Sequence, residues 1–314
     1  MAIDVDYLHL PQRTVLNNRY LVKKRLSDRT NFSIPYLAYD KLKDRKVVIK
    51  EFFPKNFVLR ELDGKTVTFK NKAAENKFKA EKKMFAKEAR VISKFKSDNI
   101  VKCYSYFIEN KTCYIVLKYY PGPTLKEYLK NKEANFIEFA NDIFFPLLDT
   151  IDLIHQQNYV HGDLKPDNIV IYKGKPVILD FGSAINYKKE EKEKIFISPG
   201  YSPLEFYSTT SKKGPFSDIY SLSAILYYFF TGKIVLEAKD RFFTDNLRDI
   251  RLINPKVSDY LNNFILRNLS LEASRRDSNI KFYKRKISFE YYRQLGNKIL
   301  KSILAFSREL ARLS

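Results

Sequence analysis

The chain of 314 residues has no tryptophan and only two cysteines. Two thiols allow at most one bridge and no metal-ligand cluster. Cys103 and Cys113 sit in apolar or aromatic runs, which predicts buried free thiols of a reducing cytosol. No basic-then-apolar signal segment opens the chain. The longest apolar run, Leu222 to Phe230, is too short to cross a bilayer and is interrupted by Ser223 and two tyrosines. These absences predict a soluble cytosolic protein without a transmembrane segment, acting in the cell that makes it or delivered to another. There is also no internal repeat, low-complexity linker, zinc-ligand spacing or RNA-binding aromatic motif, so nucleic acid has no support as a partner.

What is present is a core-forming chain with a lopsided charge. Hydrophobic residues make up 45%, with 25 Phe and 22 Tyr, which supplies a core and argues against disorder. Net charge is +21, unevenly spread. Residues 1–120 hold 27 Lys and Arg against 13 Asp and Glu, residues 121–280 hold 21 of each, and residues 281–314 hold 9 against 2. The basic surface therefore belongs to the first third and the tail. It is either a solubilising face or a site for an anionic partner such as an acidic protein or a membrane surface.

Hydrophobic periodicity divides the chain in two. After an N-terminal arm over 1–18, strand patterns appear at Tyr20 to Val22, Tyr36 to Asp40, Val47 to Lys50, Ile100 to Phe107 and Thr112 to Leu117. Asp63-Gly64 turns a small inserted hairpin between Leu59 and Val67–Phe69. A long helix follows, with Phe78, Met84, Phe85, Ala89 and Ile92 at helical spacing and Glu88 within it. Past Gly122-Pro123 the pattern is mostly helical: a short helix over Leu125–Leu129, a long helix over Phe136–Gln157, and a segment from Leu222 to Thr231 that is apolar on every side. A last helix from Ile287 to Leu313 carries Leu295, Ile299 and Ile303 on one face, with Lys298, Lys301, Arg308 and Arg312 elsewhere. An apolar face needs cover, so this helix is expected to dock.

Three strings then carry chemistry: His161-Gly162-Asp163-Leu164-Lys165-Pro166-Asp167-Asn168, Asp180-Phe181-Gly182, and Ser198-Pro199-Gly200-Tyr201-Ser202-Pro203-Leu204-Glu205. Their order and spacing resemble the catalytic core of the protein kinase superfamily. Tyr36-Leu37-Ala38-x-Asp40 and Ile49-Lys50-Glu51-Phe52-Phe53-Pro54 narrow the resemblance to bacterial eukaryotic-like Ser/Thr kinases, over about Tyr20 to Ile280. The resemblance implies an α+β bilobal fold: a β-rich N-lobe with one main helix over 19–120, a mostly helical C-lobe over 121–280, and a basic helical extension over 281–314. It implies ATP and Mg²⁺ as cofactors and a protein serine or threonine as substrate, Lys165 after the catalytic Asp favouring these acceptors over tyrosine.

Residue roles follow from the same resemblance. Asp163 orients the attacking hydroxyl, with Lys165 supplying positive charge beside it. Asn168 and Asp180 hold Mg²⁺ through hard oxygen ligands. Lys50 reaches the α- and β-phosphates and pairs with Glu88. Leu117 stands at the gatekeeper position, Lys118 to Tyr120 form the hinge, Val48 is the roof of the adenine pocket and Val170 its floor. Glu205 pairs with Arg276, or alternatively Arg275 does so. Asp218 braces the catalytic loop, and Ile92, Phe181 and His161 stack in a hydrophobic spine.

Two departures stand out. The phosphate-covering loop reads Asp28-Arg29-Thr30-Asn31-Phe32-Ser33, with every family glycine replaced and only the aromatic tip, Phe32, retained. Glycines let backbone amides approach phosphate closely, so their loss predicts weaker nucleotide binding. Gly162 stands where many kinases carry the Arg that pairs with a phosphorylated activation loop, which predicts activity without that switch. Ser198 and Ser202 are candidate autophosphorylation sites. Lys188 to Lys194 reads as a solvated segment. The competing reading is a kinase-like protein that holds nucleotide poorly, or a partner-activated one, working through its basic surface. A basic kinase with no anchor or sensor is compatible with an effector delivered into another cell.

Overall fold

Val47 and Ile49 alternate with polar neighbours, as Tyr36 and Ala38 do, and the computed structural model lays both runs in one antiparallel sheet. It describes residues 8–27, 32–131, 135–189 and 196–313, with side chains as far as residue 305. The chain falls into two compact units that divide after Pro121.

The first unit is a six-stranded sheet in the order β1-β2-β3-β4-β8-β7. Its strands are β1 (Val15–Leu16), β2 (Tyr20–Arg25), β3 (Ser33–Asp40), β4 (Arg45–Phe52), β7 (Cys103–Glu109) and β8 (Thr112–Lys118). A separate hairpin, β5 (Val58–Arg60) and β6 (Val67–Phe69), is inserted after β4. Tyr20, Val22, Ile34, Tyr36, Ala38, Val47 and Ile49 turn one way and are buried, as period-two alternation requires. From residue 8 onward the arm is tied to the sheet. Its β1 pairs with β2, and Leu10 and Leu16 join the core. At the hairpin tip, Gly64 takes a left-handed φ of +67° while the Asp63 carboxylate accepts the Lys65 and Thr66 amides.

The helix of this unit, α1 (Lys72–Ile92), starts at Asn71, whose side-chain oxygen accepts the Ala74 amide at 2.8 Å. A cap of this kind contributes about 0.5–2 kcal/mol. Ala74, Phe78, Glu81, Glu88, Val91 and Ile92 are buried. Met84, expected on the apolar face, is instead exposed. At 100° per residue it lies about 120° round the helix from Phe78, and two glutamates, Glu81 and Glu88, take covered positions that periodicity alone would give to apolar residues. Burying Phe78 stabilises this packing by about 1.5–3 kcal/mol.

The second unit opens with α2 (Leu125–Asn131). The helix expected over Phe136–Gln157 is broken into α3 (Phe136–Phe139), a π-helical turn over Ala140–Phe144, and α4 (Phe145–Gln156). Pro146 explains the break: it has no amide proton to bond the carbonyl four residues back, and its ring crowds that carbonyl. The Phe145 amide reaches the Ala140 carbonyl instead. Two short antiparallel pairs follow, β10 (Ile169–Tyr172) with β11 (Lys175–Ile178), and β9 (Tyr159–Val160) with β12 (Ile185–Asn186). Then come α5 (Pro215–Thr231), α6 (Ala238–Phe243), α7 (Asp259–Asn268) and α8 (Ile280–Leu313). As its all-round apolar sequence predicts, α5 is buried from Ser217 to Tyr228 and ends at Gly232, in the left-handed conformation with φ +66°.

The final helix α8 begins seven residues earlier than its sequence pattern suggests. Ile280, Tyr283, Ile287 and Glu290 are buried, and the Tyr283 hydroxyl meets Ser223 Oγ at 3.0 Å. Docking stops there. Residues 296–305 are exposed on every side of the helix, Ile299 and Ile303 included. The expected placement of Arg308 and Arg312 concerns side chains outside the described residues. Among the described residues no helix is long and apolar enough to cross a membrane.

Candidate active site

Each unit carries its own cluster of the residues singled out by sequence. In the first, Lys50 projects from β4 toward α1. Its Nζ donates to both carboxylate oxygens of Glu88 at 2.9 Å, with the Glu88 side chain 2% exposed. Val48 lies opposite Leu117 in the β4–β8 register. Lys118 donates its amide to the Lys102 carbonyl and sets its ammonium over the Tyr120 ring. The Tyr120 hydroxyl accepts the Lys102 amide at 3.3 Å. Phe32 is partly exposed, and its carbonyl accepts the Phe53 amide. Asp28, Arg29, Thr30 and Asn31 lie outside the described residues.

A feature the sequence reading passed over sits on the same strand. Glu51, next to Lys50, points to the other face of β4 and is fully buried. Arg60 of the inserted hairpin grips it with two nitrogens, and the Tyr36 and Tyr114 hydroxyls donate to it. The clue available in sequence was a single acid within an otherwise apolar stretch, Phe52-Phe53, followed nine residues later by an arginine.

In the second unit the segment between β9 and β10 holds the acid. Asp163 is surrounded by donors. Lys165 Nζ lies 3.1 and 2.8 Å from its carboxylate oxygens, Asn168 Nδ2 donates to Oδ2 at 2.8 Å, and Ser198 Oγ donates to Oδ1 at 2.5 Å. Lys165 also donates to Ser198 Oγ at 2.6 Å. Asn168 spends its second amide hydrogen on the Asp163 carbonyl. Its backbone carbonyl accepts the Leu179 amide, which ties the catalytic segment to the residue before Asp180. Asp180 Oδ1 accepts the Gly182 amide at 2.9 Å. Val170, on β10, is buried and bridges Thr124.

This segment is held from below by Asp218 at the start of α5. Its carboxylate accepts the His161 amide at 2.8 Å, the Gly162 amide at 3.0 Å and His155 Nε2 at 2.8 Å. Burial alone would raise the Asp218 carboxyl, but the His155 hydrogen bond, the nearby imidazoles and the Gly162 amide outweigh it and hold the group below the usual carboxylate range. His161 is buried, and that burial pushes its pKa down, so it stays neutral. Its Nδ1 accepts the Asp163 amide, and its ring meets Phe181 edge-on at 4.9 Å. His161 is thus a packed residue. His155 is a further brace that the sequence reading did not name.

The third string is anchored by Arg276, which donates to Glu205 at 2.8 and 3.0 Å with no exposure of its side chain. Arg275 pairs with Glu272 at the surface instead. Ser198 and Ser202 are both buried, and the Ser198 amide donates to Ser202 Oγ. Of the expected solvated run, residues 190–194 lie outside the described residues. The thiols of Cys103 and Cys113 are free, and burial pushes both up to about 11.

Asp163 is thus a carboxylate gripped by a lysine, an asparagine and a serine hydroxyl, on a loop braced by a buried aspartate. The profile of the protein kinase domain matches residues 56–287, and the chain belongs to that family. Lys50 and the glycine-free loop precede the matched span. Serine/threonine-protein kinase PknA of Nostoc sp. is 30% identical over 233 residues, which make up 70% of this chain and 38% of that protein. Serine/threonine-protein kinase PknD of Chlamydia pneumoniae is 28% identical over 78% of this chain and 28% of its own length. The chain thus spans well under half of these curated relatives. Among solved structures, the apo form of PpkA-294 matches 90% of this chain and 98% of its own, with TM-score 0.74 and 27% identity. The fold is accordingly the α+β protein kinase fold read from the sequence.

Proposed function

We propose that this chain is a protein serine/threonine kinase that transfers the terminal phosphoryl group of Mg-ATP to a protein hydroxyl without needing a phosphorylated activation segment. The observation that carries the reading is the contact set of Asp163: a carboxylate fixed by Lys165 and Asn168 and already accepting one hydroxyl, that of Ser198. A carboxylate that binds one hydroxyl there can orient another for attack.

The donor set suits magnesium. Asn168 gives both amide hydrogens to Asp163, which leaves its oxygen as the free ligand, and Asp180 adds a carboxylate. Mg²⁺ takes one or two protein ligands and completes its shell with phosphate and water. When bound, Mg²⁺ neutralises charge on the β- and γ-phosphates. The chain's own residues do the rest. Glu88 holds Lys50 extended for the α- and β-phosphates. Asp163 takes the acceptor's hydroxyl proton as the new oxygen–phosphorus bond forms and the bond to ADP breaks. Lys165 shields the transferred group. In the first unit Val48, Leu117 and the backbone of Lys118 to Tyr120 are the adenine contacts, with Phe32 at the tip of the covering loop; in the second unit Val170 is the adenine contact.

Independence from activation-segment phosphorylation is supported by Gly162, which offers no guanidinium to a phosphate. The two free thiols, Cys113 buried and Cys103 only half-buried where burial of both was expected, support a reducing, cytosolic setting.

The test is transfer of γ-labelled phosphate from Mg-ATP to the chain and to a generic basic protein, beside Asp163→Asn and Asp180→Ala. Loss of the Asp163 carboxylate is expected to remove about 10²–10⁴-fold of the rate. Folded wild-type protein that transfers no label, and gains no thermal stability from Mg-ATP, would overturn the proposal in favour of a kinase-like binding protein.

A further inference from the structure

The distal part of α8 is a helix with nothing packed on it. From residue 296 to 305 every position is exposed, and a Cβ built at Gly296 meets no atom within 4 Å. Yet this stretch is not polar. Tyr292, Ile299, Leu300, Ile303 and Leu304 are exposed by 50–66%. At 100° per residue they fill an arc of about 140°, over about 18 Å of helix. Lys298 and Lys301 fall on the opposite side, with Gln294 between them, and both lysines are exposed.

Two properties select the occupant. The first is the width of the arc. A coiled-coil seam is a narrow line of positions three and four apart. Tyr292, Ile299 and Ile303 would serve such a line, but Leu300 and Leu304 lie about 60–100° off its edge and would remain in water. A planar apolar phase covers all five. The second is charge. Residues 281–314 carry 9 Lys and Arg against 2 Asp and Glu, and the described part of the exposed stretch has no acid at all. A half-apolar, half-basic helix of modest overall hydrophobicity is suited to lie in the plane of an anionic bilayer, its apolar arc among the acyl chains and its lysines at the headgroups.

We propose that the segment Tyr292–Ala305 is an in-plane membrane anchor that binds anionic phospholipid surfaces. This inference stands independently of the kinase reading, because no residue of the Asp163 or Lys50 clusters takes part.

The full chain would be sedimented with vesicles of phosphatidylcholine alone and of phosphatidylcholine with about a third phosphatidylserine. Binding is expected only to the second, weakening as salt rises. Leu300→Asp with Leu304→Asp should abolish it. Lys298→Glu with Lys301→Glu should weaken it by at least tenfold, since each basic residue near such a surface changes affinity about fivefold. Both doubles should keep the wild-type melting temperature, because the altered side chains touch nothing in the fold. Failure to bind either vesicle, equal binding to both, or binding unchanged in the doubles would overturn the proposal. So would a vesicle-free dimer, seen by light scattering, that Leu300→Asp with Leu304→Asp splits; that result would assign the face to a second copy of the chain.

Discussion

Arg60 closes on Glu51 with two parallel hydrogen bonds, Nη1 to Oε1 at 3.0 Å and Nη2 to Oε2 at 2.6 Å, and neither side chain touches solvent. The pair ties the inserted hairpin to the strand that carries Lys50. Arg60 also donates to the Lys65 carbonyl, and its guanidinium covers the Phe53 ring at 4.5 Å. A buried ion pair contributes little net stability when intact, yet removing one partner strands a charge. Arg60→Ala is therefore expected to cost about 3–5 kcal/mol, read as a lower urea midpoint. Glu51→Leu with Arg60→Met should recover most of that loss. If the single and double variants unfold at the same midpoint, the stranded charge is not the cause.

Gly162 cannot carry a side chain without movement. Its φ is +78°, and a Cβ there would lie 2.6 Å from the Ser183 carbonyl oxygen. Gly162→Ala should destabilise by about 1–3 kcal/mol, visible in thermal unfolding. Gly162→Arg should fare no better. Restoring the family's arginine would then loosen the catalytic segment rather than install a phosphate-dependent switch, and phosphotransfer would fall with the melting temperature.

Acid should unfold the second unit in two stages, and the signs agree. Burial lowers the pKa of His161, so below about pH 6.5, the unperturbed value, the unfolded chain takes up a proton that the native chain refuses. Stability present above that pH is lost as pH falls. Asp218 is also depressed in the native state, so its contribution is present above about pH 4 and disappears as pH drops further. Chemical unfolding at intervals from pH 7.5 to 3.5 should show the slope, and His161→Gln should remove the upper stage alone. A flat profile between pH 7 and 5 in the wild type would contradict a buried neutral imidazole.

Ser198 links Asp163 and Lys165 through one hydroxyl. On the kinase reading, Ser198→Ala should lower the turnover of a protein acceptor by about tenfold or more while leaving the KM for ATP unchanged, since the residue positions the acid and does not meet adenine. Ser198→Thr keeps the hydroxyl and should restore the rate. An alanine variant as fast as wild type would show that Asp163 is held well enough by Lys165 and Asn168 alone.

The readable parts of this fold are those in which local pattern and tertiary demand coincide. The strand over Arg45–Phe52 shows its β-branched run, α5 shows apolar residues on every side, and the Asp163 segment is a contiguous string whose contacts are mostly within a few residues. Lys50 and Glu88, 38 residues apart, could be paired only through resemblance, because nothing local links them. Features set by distant packing stayed hidden. The π-turn before Pro146 is invisible to a periodicity count that treats proline as one more residue. Glu51 and Arg60 meet only because the hairpin folds back over β4. The bare end of α8 is indistinguishable in sequence from a docked amphipathic helix, since both carry the same stripe.

The two native thiols have a practical consequence. With both pushed up to about 11, only about one molecule in ten thousand carries a thiolate at neutral pH, and alkylating reagents attack the thiolate. The wild-type background is therefore quiet without removing a cysteine. A single Ser302→Cys substitution on the exposed stretch of α8 would offer an ordinary, accessible thiol for an environment-sensitive fluorophore. The native chain can thus serve as its own reporter scaffold, its emission following the polarity around the last turns of the helix in real time.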